Sequence, residues 1–131
     1  MSYVRSEINT YPERTSDPRI KAAVLADPGA VFFSIGSFAA VKVPVQLWAS
    51  EHGNEFVTSE SVAAVDRNLP AKHEYHVVPN AGHNTFFLCP PALVKAVPES
   101  CTDAPGFDRA AFHEQFNADV LAFFRANLGD T

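Results

Sequence analysis

Val77 to Phe87 reads VVPNAGHNTFF and places His83 in a glycine-containing turn directly after an apolar run. Imidazole takes up and returns a proton near neutral pH, so a histidine in such a turn is a candidate general acid–base group. A second polar concentration, ASEHGNEFVT, puts Glu51, His52, Asn54 and Glu55 after another apolar run. Reactive groups in open α/β sheets gather outside the carboxyl ends of the strands, and both loops are expected to lie there. His73 and His76 stand three apart in KHEYHVVP, which reads as a strand. Strand side chains alternate, so these two face opposite ways and make a poor ligand pair; no metal and no cofactor is expected. His113 beside Glu114 reads as a surface or interface residue.

The elements that would position these groups alternate in type. RIKAAVLADPGA holds an apolar run from Ile20 to Ala26, stopped by Asp27-Pro28-Gly29, and reads as a strand buried on both faces. VFFSIGSFAAVK follows as a loop or short helix. Val43 to Ser50 reads as a second strand, with Pro44 acceptable near its start. Thr58 or Ser59 can cap a helix whose Val62, Val65 and Leu69 share one face, and Pro70 ends it. Lys72 to Pro79 is the third strand. After an irregular stretch with a short helix at Ala92 to Val97, Asp108 caps a long helix from Arg109 to about Leu128. Phe112, Phe116, Val120, Phe123, Phe124 and Leu128 form its apolar stripe, and Gly129 takes the position after its last turn. Trp48 is expected to pack under the helices. The pattern predicts a single three-layer α/β domain over residues 1–131, with about three parallel strands, right-handed crossovers and a polar lead-in over residues 1–19.

Bulk properties narrow the partners. With 131 residues, 47 % of them hydrophobic and 19 % charged, the chain supports one core. A net charge of −5 and scattered Lys and Arg argue against nucleic acid, and no apolar run approaches the roughly 20 residues that span a bilayer. MSYVRSEINTYPERTSDPR has no apolar h-region, so the chain as written is expected to stay in the cytoplasm. Cys89 and Cys101, 12 positions apart, are open to two readings. They are two reduced thiols, or a disulfide clipping the loop, which needs an oxidising compartment and would imply a periplasmic or secreted origin.

The order of strand, acidic loop, helix, strand, NAGH turn and final helix resembles the C-terminal part of an α/β-hydrolase. RIKAAVLADPG, VPVQLWASE, VAAVDRNLP, HVVPNAGH and APGFDRAAFHEQFNADVLAFFRANL are similar to its dienelactone-hydrolase-like branch, over nearly all of the chain from about Asp17 onward. The resemblance implies that His83 is the base that deprotonates a serine and then protonates the leaving group, with Gly82 leaving room for its ring. It implies an acid in the loop after the second strand, where Glu55 in Glu55-Phe56-Val57-Thr58 is the nearest match and Glu51 the second. The nucleophile of such enzymes sits on G-x-S-x-G, and this sequence has none; SIGSFAA around Ser37 lacks the second glycine. The expectation is therefore the C-terminal fragment of an enzyme that hydrolyses a small-molecule ester or lactone, inactive alone. The other expectation is a non-catalytic interaction module. In either case the exposed edge at Ile20 to Ala26 should pair with a second copy as a homodimer, or with the missing N-terminal half.

Overall fold

The computed structural model describes residues 17–30, 33–70 and 72–129; the expected lead-in lies outside them up to residue 16. Three parallel strands, β1 (Ala23–Ala26), β2 (Val45–Ser50) and β3 (His73–Val78), form one sheet in the order β1-β2-β3. The register runs from Ala23 beside Val45 and Val45 beside His73, so the three strands start level; β2 and β3 end together at Ser50 and Val78, while the shorter β1 ends beside Trp48.

Every residue of β2 is buried, as a central strand with both neighbours and both faces covered must be. Its alternation divides the core. Val45, Leu47 and Ala49 pack with Val62 and Val65 of α1 (Ser59–Asn68), and with Leu69 just after it, on one face. On the other, Trp48 meets Phe112 and Phe116 of α3 (Arg109–Leu128), with ring centroids 6.5 and 5.0 Å away. The result is the expected three-layer α/β architecture. Among the described residues no helix is long and apolar enough to cross a membrane.

The helix boundaries follow local chemistry. Thr58 accepts from the Ser61 amide and caps α1, while Asp108 accepts from the Ala111 amide and caps α3. Gly129, at φ 77°, ends α3. The short helix α2 occupies Pro91–Ala96, starting on the proline. Ile35–Phe38 is a single 3-10 turn.

One expectation needs correction. The first strand begins at Ala23, leaving Ile20 56 % exposed, and its residues are half-buried or exposed. An edge strand has one neighbour, and a four-residue one leaves both faces partly uncovered. His113, half-buried, lies between elements: its Nε2–H donates to the Thr85 carbonyl at 2.9 Å, tying α3 to the turn after β3. The α3 stripe is covered unevenly, with Phe123 buried and Leu128 49 % exposed. His73 and His76 do face opposite ways, His73 toward Asp66 of α1 at 2.7 Å and His76 stacked on Trp48 at 4.3 Å.

Candidate active site

Asp27, Ser50 and the His83 turn come together at the carboxyl ends of β1, β2 and β3 because the parallel strands start level, and β1, ending beside Trp48, lets Asp27 turn toward the end of β2. Asp27 follows β1 immediately, its amide donating to the Trp48 carbonyl at 2.9 Å. The backbone there has φ 44°, left-handed, which a short polar side chain tolerates better than a branched one. That turn sends the carboxylate into the protein instead of along the strand, and Asp27 is 3 % exposed.

A buried carboxylate needs donors, and this one has three. The Ser50 amide donates to Oδ1 at 2.7 Å. The Ser50 hydroxyl donates to Oδ2. The Nδ1–H of His83 donates to the same Oδ2 at 3.3 Å. Because an ionised carboxylate only accepts, the proton of the neutral imidazole is fixed on Nδ1 and Nε2 keeps its lone pair. Among the described residues no group is hydrogen-bonded to that Nε2. His83 lines a cleft of about 280 Å³ together with His52, Asn54, Asn84, Thr85 and Asp103.

The backbone frames this pair. Gly53 and Gly82 make a parallel bridge beyond the strands, the His83 amide donates to the Gly53 carbonyl at 3.0 Å, and the Gly53 amide donates to Ser50 Oγ at 3.1 Å. Thus Gly53 holds the His83 backbone directly and reaches Asp27 through the Ser50 hydroxyl. The His83 ring also meets Phe87 edge-on at 5.8 Å.

The expected acid loop lies elsewhere. The Glu55 side chain is exposed and has no hydrogen-bond or ion-pair partner among the described residues. Glu51 accepts from the Asn80 amide at 2.6 Å, fixing the start of the His83 turn without reaching the ring. Asn54 folds its own loop by accepting from the Phe56 and Val57 amides at 2.8 and 2.7 Å. The carboxylate on His83 is Asp27. Its sequence signal was a charged residue directly at the end of an apolar run, followed by Pro28-Gly29, which also describes an ordinary strand stop.

Ser50, at 0 % exposure, is hydrogen-bonded to Asp27 and not to the imidazole. A further network braces the turn from the cleft wall. Gly82 donates its amide to Thr85 Oγ1 at 3.2 Å, and the Thr85 hydroxyl donates to Asp103 at 3.0 Å. Arg109 then clasps Asp103 through Nε and Nη2 at 2.7 and 2.8 Å. Cys89 and Cys101 are joined as a disulfide beside this clasp.

The Arg109 hydrogen bond holds the Asp103 carboxyl below its ordinary value, with Thr85 adding to it. A depressed folded value means stability present above the unfolded pKa of about 3.9 and lost as pH falls through the folded one. The melting temperature of the wild type should therefore exceed that of Asp103→Asn at pH 6, with the gap closing below about pH 4. A gap independent of pH between 2 and 6 would show that the ion pair contributes nothing to stability.

Comparison with protein-family models, curated proteins and solved structures returns no match for this chain.

Proposed function

We propose that this domain supplies the acid–base half of an acyl-transfer hydrolase site, with Asp27 and His83 as the dyad and a small-molecule ester or lactone as substrate. The observation that carries the reading is the buried Asp27 carboxylate on His83 Nδ1, which leaves Nε2 unpartnered beside an open cleft. The α/β-hydrolase resemblance of the NAGH turn supports it, with Asp27 taking the role first assigned to Glu55.

In the reaction, Nε2 takes the proton of a serine hydroxyl as that oxygen attacks the ester carbonyl. Asp27 stabilises the imidazolium that results, and Nε2–H then protonates the departing alkoxide. Water repeats the sequence on the acyl-enzyme. The described residues place no hydroxyl at Nε2, so the serine arrives from another segment. Among the described residues one edge of β1 is unpaired, and β1 carries Asp27 at its end. A strand added there, from a longer chain or from a second copy, stands beside the dyad.

The purified chain and His83→Ala are expected to release p-nitrophenolate from p-nitrophenyl acetate at rates within about twofold, and a serine-directed phosphonate should label neither. His83-dependent turnover or a labelled serine would mean that this chain itself supplies the nucleophile, within one copy or across two, and would rule out a longer chain as its source. In cells that make the protein, an antibody to this chain should precipitate a phosphonate-labelled species. A precipitate without label sinks the hydrolase reading. Sedimentation across micromolar concentrations separates the sources of the strand, a dimer pointing to a second copy.

A further inference from the structure

The disulfide is wired to the turn that holds His83. From Cys101 the chain runs directly into Thr102, Asp103 and Ala104, which line the cleft. Arg109, in the first turn of α3, grips both arms of the bridged loop. Its Nη1 donates to the Phe87 carbonyl at 3.2 Å and to Cys89 Sγ at 2.7 Å, and its Nη2 donates to the Ser100 carbonyl at 3.3 Å. The same guanidinium holds Asp103, which holds Thr85, which holds the Gly82 amide one residue before His83. Sulfur, guanidinium, carboxylate, hydroxyl and turn form one unbroken series of contacts.

We propose that the Cys89–Cys101 bridge is a redox-sensitive clamp on the cleft, opened by a dithiol reductant and closed by its re-oxidation. The reductant's thiolate attacks Cys101 Sγ, the S–S bond breaks, and its electron pair leaves on Cys89 Sγ. The second thiolate of the reductant attacks the mixed disulfide and releases Cys101. The dithiol loses two electrons and becomes a disulfide; one of its two protons ends on Cys101, and the other passes to solvent while Cys89 stays a thiolate beside Arg109. Arg109 sets the direction of attack, because a neighbouring cation stabilises Cys89 as the departing thiolate and the better leaving sulfur departs faster. Once formed, that thiolate competes with Asp103 for the one guanidinium. Losing part of its clasp, Asp103 releases Thr85, and the loop regains the freedom that ring closure had removed. The cleft wall and the Gly82 amide then loosen together, while the sheet, which shares none of these contacts, stays.

The consequence for catalysis rests on the reading of His83 as the base; the clamp itself does not, and its test is made on the loop. The full chain is titrated with dithiothreitol and followed by amide NMR, and cysteine reactivity is read by iodoacetamide alkylation and mass spectrometry. Amides of β2 and α3 should keep their positions on reduction, those of Gly82 to Thr85 and Ser100 to Ala104 should shift, and exchange at Gly82 should quicken at least tenfold. In the reduced chain Cys89 should alkylate at least fivefold faster than Cys101 at pH 7. Arg109→Gln should erase that bias, and Arg109→Lys should retain part of it. An unshifted turn overturns the coupling, a melted sheet shows a merely structural bridge, and faster alkylation of Cys101 overturns the role of Arg109. If these shifts appear and no hydrolase activity is ever found, the clamp stands and only the function of His83 falls.

Discussion

Asp27→Asn should fold and yet carry the His83 proton on the wrong nitrogen. The Ser50 amide is a fixed donor, so the asparagine oxygen takes the place of Oδ1 on it at 2.7 Å. Its NH2 group then points where Oδ2 was, toward the Ser50 hydroxyl and His83 Nδ1. A donor facing Nδ1 makes that nitrogen an acceptor and sends the imidazole proton to Nε2. An imidazole protonated on Nε2 cannot accept from a serine; in the Ser-His-Asp proteases the same change costs about 10⁴ in turnover, and a comparable loss is expected wherever His83-dependent acyl transfer is measured. Long-range ¹H–¹⁵N spectra of the histidine ring report the tautomer directly, with no substrate needed. If the variant keeps its proton on Nδ1, Asp27 is not what orients the ring. Asp27→Ala should do more damage to the fold, because it strands the buried Ser50 amide and hydroxyl. Each buried neutral donor left unsatisfied costs about 1–3 kcal/mol, and two of them take a large share of the roughly 5–15 kcal/mol that holds a domain together.

How much of this could be read from the chain depends on the range of the signal. The helices were legible because their caps and stripes are local: Thr58 with Ser61, Asp108 with Ala111, and the phenylalanines spaced to cover Trp48. His83 was legible because the turn that presents it is written in consecutive residues, Asn80 to His83. Its acid was not. Asp27 reaches His83 across 56 positions, and the two meet only because β1, β2 and β3 align in one register. Glu55 was preferred for its place relative to Val57, but that spacing does not report side-chain direction, and the loop turns Glu55 to solvent. The brace through Thr85, Asp103 and Arg109 was hidden for the same reason. Each is an unremarkable polar residue alone, and Arg109 differs from any helix-face arginine only in being folded onto a bridged loop. The limited burial of β1 also followed from topology, since an apolar run does not say whether a strand is central or at an edge.

Gly53→Ala should then be the most disruptive single methyl group near the site. At φ 59° the position is left-handed, where a side chain adds strain of about 1–3 kcal/mol. A Cβ there would also lie 2.0 Å from the Val57 carbonyl oxygen and 3.0 Å from its carbon, which is backbone and cannot swing aside. That oxygen already accepts from the Asn54 amide at 2.8 Å, so moving it breaks the turn that closes the loop. Overpacking adds a similar 1–3 kcal/mol, for about 2–6 kcal/mol in all. Gly82→Ala is the control. Its Cβ would meet only the Gly53 carbonyl oxygen, at an ordinary 3.6 Å, and its φ of −97° suits any residue, so its cost should stay within about 1 kcal/mol. Urea unfolding of the two variants separates them, and equal midpoints would mean the Gly53 turn relaxes freely. Where Gly53→Ala still folds, the effect on the dyad exceeds the loss of stability. The amide of Gly53 supports Ser50 Oγ, and hence Asp27, while its carbonyl supports the His83 backbone. Shifting this one residue moves acid and base in directions set by two different strands, and the 3.3 Å between them cannot be kept by moving either one alone.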